Sequence, residues 1–271
     1  MKRTGKIFLI VAACLVVFGL LLSAGVAIAV RTTGAGSHRM GFHSHYGNEV
    51  TRTAEMDSIN SLSLALVNEP VYIVRGGSSV SITWIEMYDG QYELTQREGE
   101  FLSLSRATSR NWGFWGRDWT FLGFGGGRFG WSIENASNRP VTVTIPQHIE
   151  LHSIDLAGAD IRVVIDYIDA LEIGISGANV TATLQCVTAR DIEVSGANAI
   201  VTLSDVEAND IEVSGANAEV VMNIPSTDGW SFDVSGVHAA LRVDGQRWQG
   251  FAGSRSVSVN GVNAVLNVHT R

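Results

Sequence analysis

The sequence predicts an all-β protein, a single-stranded β-solenoid (β-helix) with coils of about 19 residues, preceded by one N-terminal transmembrane helix. Three observations carry this. A phrase typified by IEVSGANAIVTL recurs six times between Ile154 and Val268. Its glycines, Gly158, Gly177, Gly196, Gly215, Gly236 and Gly261, are spaced by 19, 19, 19, 21 and 25 residues. Ahead of everything else, Ile7 to Val30 is a run of 24 residues without a charge.

Within each repeat the apolar residues alternate, as in Ile192, Val194, Ala199, Val201 and Leu203. Alternation is strand spacing, and the Ser195-Gly196 break between two such runs is a corner. One unit cannot bury its own apolar face, so the units must stack, each paired with the next at about 4.8 Å. Six such rungs would extend roughly 29 Å.

The repeat columns divide into frame and candidate site. Gly at each corner implies either a backbone of positive φ or an approach too close for a Cβ. Two residues on stand Asp160, Asn179, Asn198, Asn217, His238 and Asn263. Stacked Asn side chains can bond their equivalents above and below in an amide ladder; a ligand site is the competing account. A third column, Asp155, Gly174, Glu193, Glu212, Asp233 and Ser258, lies between inward Ile and Val and should face solvent. It is either a solvated face that discourages lateral aggregation or a strip for a divalent cation, calcium first, or for a basic partner. The GGxGxD pattern of calcium-binding nonapeptide repeats is absent.

Charge narrows the partners. Lys2, Arg3 and Lys6 precede the apolar run; the rest of the chain holds 16 of the 19 basic residues against all 27 acidic ones. Residues 151–271 carry 15 acidic and 6 basic residues, a poor surface for nucleic acid.

In chain order, residues 1–30 form a cytoplasmic tip and a membrane anchor. At 1.5 Å per residue the apolar run reaches about 36 Å, enough to cross a bilayer. The basic cluster in front places the N-terminus inside and the remainder outside. A cleaved signal peptide, with Ala27-Ile28-Ala29 at the cleavage site, is an alternative, and a lipoprotein signal at Cys14 is another. Cys186 is the other cysteine, so the exported part cannot form an internal disulfide. Residues 31–57 are a flexible stalk; its His38, His43 and His45 lack a predicted frame for a metal. Residues 58–150 form an irregular β region that caps the regular repeats of 151–271, since an open end would invite edge pairing. Within it, LALVNEPVYIV echoes the later corners, with Asn68 standing where Asn179 does.

Residues 111–131, NWGFWGRDWTFLGFGGGRFGW, break the pattern. Trp112, Phe114, Trp115, Trp119, Phe121, Phe124 and Trp131 are either a hairpin packed over the flank or an exposed adhesive loop offering flat apolar area. No G-x-S-x-G, H-E-x-x-H, P-loop or dinucleotide fingerprint occurs. The carboxylates form a regular stripe rather than a pair in unlike environments, which argues against glycosidase chemistry. The expectation is a protein without catalytic residues, cofactor or metal.

SINSLSLALVNEPVYIV from Ser58, VTVTIP at 141–146 and the repeated IEVSGANA resemble the LiaG-like, adhesin-type membrane-anchored proteins of the bacterial envelope, a domain of unknown function. The resemblance covers roughly residues 55–271. It implies adhesion to a cell-wall polymer or another envelope protein, and alternatively an accessory sensor or regulator of envelope stress acting through a membrane-protein partner. Localisation at the cell membrane, single-pass, with the C-terminal domain extracytoplasmic, follows from the anchor and its flanking charge.

Overall fold

The computed structural model describes residues 49–86, 90–106, 139–247 and 253–271. The apolar run 7–30, residues 31–48 of the stalk expected over 31–57 and the aromatic segment 111–131 lie outside the described residues, while Val50–Met56, also expected in that stalk, forms a strand. Among those described, every regular element is a strand, and no helix is long and apolar enough to cross a membrane.

The regular half is built from long strands that each hold a whole repeat: β8 (Leu151–Asp166), β9 (Ala170–Gln185), β10 (Asp191–Ser204), β11 (Asp210–Ile224) and β15 (Arg255–Thr270). Along each, the alternation expected from sequence decides which side chains enter the core. In β10, Ile192, Val194, Ala199, Val201 and Leu203 are buried. The strands pair in parallel and in register, Ile173 against Ile192 and Ile192 against Ile211, so like side chains stack in columns. Each of these strands runs through its glycine position, and β8, β9 and β10 are followed by bends at Tyr167, Cys186 and Asp205, whose φ angles are 55°, 50° and 52°.

The corner glycines are required by close approach, and Gly236 alone among the six also has a positive φ, 159°. A Cβ on Gly215 would stand 2.2 Å from the carbonyl oxygen of Gly196, and one on Gly261 would stand 2.4 Å from that of Gly215. In the layers of β8, β9 and β10 positive φ falls instead on the bend after the strand, at residues that carry side chains.

The irregular half continues the same stacking. β2 (Ser61–Leu66) pairs in parallel with the first half of β8, and β3 (Pro70–Arg75) with its second half, so together they form one layer bent at Asn68. The register sets Asn68 level with Asp160 and hence with Asn179. Beyond that layer lie β6 (Phe101–Arg106), parallel to β2, and β7 (Val141–Ile145), parallel to β3. The aromatic segment falls in the sequence between β6 and β7. Three antiparallel strands finish this end: β5 (Tyr92–Arg97) on β6, β4 (Val80–Glu86) on β7, and β1 (Val50–Met56) on β4. Arg52, Glu55, Glu93 and Arg97 on the outer strands give these edges charge, which disfavours pairing with another chain.

At the far end the order departs from expectation. β12 (Trp230–Ser235) and β13 (His238–Val243) do not pair with β11. The C-terminal β15 lies between, pairing with β11 on one edge and with β12 and β13 on the other. β14 (Gln246–Arg247) turns back on β13. Units expected to stack in simple succession thus run first, second, third, fourth, sixth, fifth. The sheet path stays open at both ends.

Candidate functional site

The segments that follow the bends at Tyr167, Cys186 and Asp205 line an open concavity. Between bends and strands the chain runs through Ile168-Asp169-Ala170, Val187-Thr188-Ala189 and Val206-Glu207-Ala208. In each triplet the outer residues are buried and the middle one points outward. Pairing here thins to isolated bridges, Asp169 with Thr188 and Thr188 with Glu207. Small alanines at the end of each triplet leave this side recessed, and an open groove of about 1090 Å³ runs across the layers. Asn60, Phe101, His152, Leu171, Thr188 and Arg190 are among its lining residues.

The groove is of mixed polarity, with Phe101, Leu151 and Leu171 beside its polar groups, and two of its charges, Arg190 and Asp169, are braced. Arg190 donates to Glu172 and, at 2.7 Å, to Asp191. The Asp191 bond, with Glu172 beside it, raises the guanidinium pKa above its already high ordinary value. Arg75 donates to Asp169 and, at 3.0 Å, to the carbonyl of Pro146. Main-chain bonds fasten the floor: Ala170 N–H to Thr188 O at 3.0 Å, and Ala189 N–H to Glu207 O at 2.8 Å. Leu171, 44% exposed, adds an apolar step on the rim. A frame whose charged groups already satisfy each other loses little entropy when a chain is laid along it. Such an arrangement suits an extended polar polymer held by hydroxyl, amide and ring contacts.

The residues singled out from sequence fall elsewhere. Asn179 donates to Asp160, Asn198 to Asn179 at 2.7 Å, Asn217 to Asn198 at 2.7 Å, and Asn263 to Asn217 at 2.7 Å. These amides spend themselves on one another. The acidic column is outward-facing, but register breaks it: Gly174 lies between Asp155 and Glu193, and Ser258 between Glu212 and Asp233. Asp155 and Glu193 are two strand spacings apart, about 9.6 Å of backbone separation, across a shallow dip of about 230 Å³ at Gly174. Among the described residues no group of three or more His, Cys, Asp or Glu is placed to hold a metal ion. The aromatic residues Trp112 to Trp131 lie outside the described residues. Sequence reasoning missed the groove because it gave the segments between repeats no role. The signal was present: an apolar residue, a variable residue and Ala recur there at the repeat spacing of 19.

No protein-family model matches the chain, and no curated protein matches it. Two of the solved structures similar to it are as follows. A putative cell adhesion protein from Clostridium sporogenes is 15% identical with a TM-score of 0.43, the match covering 82% of this chain and 99% of that one. A putative adhesin from Bacteroides fragilis is 12% identical with a TM-score of 0.44, covering 82% of this chain and 97% of that one.

Proposed function

We propose that this chain is a non-enzymatic binding or scaffolding protein of the bacterial envelope, a β-solenoid held at the membrane by its N-terminal apolar segment with the repeats outside. Adhesin-type binding of an extended envelope polymer, a cell-wall glycan before all others, occurs in the groove along Asn60, Phe101, Thr188 and Arg190. The observation that carries this is the groove itself: long, open, braced, and crossing successive layers at right angles to the strands. A polymer laid along the groove meets His152, Leu171, Arg190 and Asn209 in successive layers, so contacts that are weak one by one add along its length.

The test is retention of the full chain on purified wall polymer. Thr188 is exposed in the groove floor, so Thr188→Trp fills the space without removing a charge or a core residue. Retention should fall by about tenfold or more, the equivalent of 1.4 kcal/mol, with the melting temperature unchanged. Undiminished retention by Thr188→Trp removes the groove from the account. Specific capture of one membrane protein with no wall retention replaces the adhesin-type role by the regulatory one.

A further inference from the structure

We infer that β15 is an exchangeable strand, and that two copies of this chain associate by each placing its C-terminal strand in the slot between β11 and β12–β13 of the other.

The slot is a consequence of strand order. In the fold β12 and β13 stand one strand position away from β11, and β15 fills the position between them. Taking β15 away leaves two parallel edges unpaired, and both run in the sense that β15 needs. β15 matches each edge in register, from Asp210 with Ser256 to Ile224 with Thr270 on one side, and from Trp230 with Arg255 to Val243 with Val268 on the other. It supplies Val257, Val259, Ala264, Leu266 and Val268 to the core, each no more than 1% exposed.

Every fastening of β15 is made to an element that a second copy also presents. At its start the Arg255 guanidinium lies 4.4 Å from the centre of the Trp230 ring. At its end Thr270 donates its N–H at 2.9 Å and its hydroxyl at 2.6 Å to the Asp244 carboxylate, and Arg271 donates to Asp205 at 2.9 Å. Strand exchange therefore keeps the pairing of β15 with β11, β12 and β13 together with its core and end contacts, and differs from the closed monomer in the connection, β14 included, and in the entropy of association. The connection, residues 244–254, is longer than the five-residue links 205–209 and 225–229 of neighbouring layers. Fully extended it reaches about 36–40 Å, enough for β15 to leave one copy and enter another. The closed form wins when the tethered strand's effective concentration, roughly millimolar, exceeds that of other copies; exchange wins where chains are crowded.

The experiment uses the full chain in detergent with Cys14→Ser and Cys186→Ser. One tagged version carries Asn217→Cys and a second, differently tagged, carries Asn263→Cys. The two are unfolded, mixed, refolded at high concentration and treated with a short thiol crosslinker. Exchange predicts an adduct bearing both tags, and none when Asn267→Cys, which pairs level with Val221, replaces Asn263→Cys. A two-tag adduct that forms equally with Asn267→Cys, or no two-tag adduct while Asn217→Cys/Asn263→Cys on one chain crosslinks internally, overturns the proposal. A second variant lacking Gly245 to Gly253 leaves a link too short to close on itself. It should be a folded dimer at micromolar concentration, and either a folded monomer or an unfolded chain counts against exchange.

Discussion

The side-chain amide of Asn263 donates to the oxygen of Asn217, 46 residues earlier, where the preceding steps of the same ladder join residues 19 apart. That one bond records the insertion of the last repeat beneath the one before it. It also shows that the ladder follows space and not sequence, with Asp160, which can only accept when ionised, as its terminal acceptor.

The ladder makes a first prediction. Asn198→Ala removes the bond given to Asn179 and the one taken from Asn217. On an exposed face this should cost about 1 kcal/mol, read as a lower denaturation midpoint at unchanged slope. Asp160→Asn keeps an acceptor at the end of the row and should be close to neutral.

Close approach at the corners makes a second. Gly215→Ala drives a Cβ to 2.2 Å from the Gly196 carbonyl, while Gly174→Ala meets first the Asp155 carboxylate oxygen at 3.3 Å, the movable end of a side chain. The former should cost roughly 2–4 kcal/mol and the latter under 1 kcal/mol. Thermal melts of the two proteins check the ranking, and equal losses would contradict the steric account.

Core filling by β15 makes a third. Leu266 is fully buried between β11 and β13. Leu266→Ala should cost about 2–5 kcal/mol, and hydrogen exchange should rise first in β12 and β13, which rest on this strand alone for their inner edge.

Acid makes a fourth. The Thr270 hydroxyl first, and its N–H second, lower the Asp244 pKa below its ordinary 3.8, with a smaller push from His269. A pKa lowered by folding means stability present above the unfolded value and lost as pH falls through the folded one. The melting temperature of the native chain should therefore drop more between pH 5 and pH 2 than that of Asp244→Asn, by an amount confined to this window. Parallel curves would show that the Thr270 contact contributes nothing.

Much of the frame was legible in the chain because its period is strict. Ile192, Val194, Ala199, Val201 and Leu203 enter the core as their alternation requires. Asn68 was found at its level through nothing more than a matching corner. Pairing order was not legible, since Val257 fits beside Ile211 as well as beside Phe232, and periodicity alone does not distinguish these neighbours. The groove escaped notice for a different reason: Thr188 and Arg190 matter through the space that small residues beside them leave open, and an absence of volume has no hydropathy signal. Glu212 and Asp233 follow one another in the acidic column as the sequence reads it, whereas register sets Ser258 between them.

The insertion of β15 divides the molecule into a part that can grow and a part that cannot. A duplicate of residues 191–209 placed after Asn209 would find the same corner, the same bend and the same amide above and below it, and would lengthen the stack by one layer. A duplicate placed after Ile224 would meet an edge already reserved for the C-terminus. Length in this architecture is adjustable in the middle, where the groove runs, while its terminus is fixed, so reach along a polymer can change in whole repeats without redesigning the end that closes the chain.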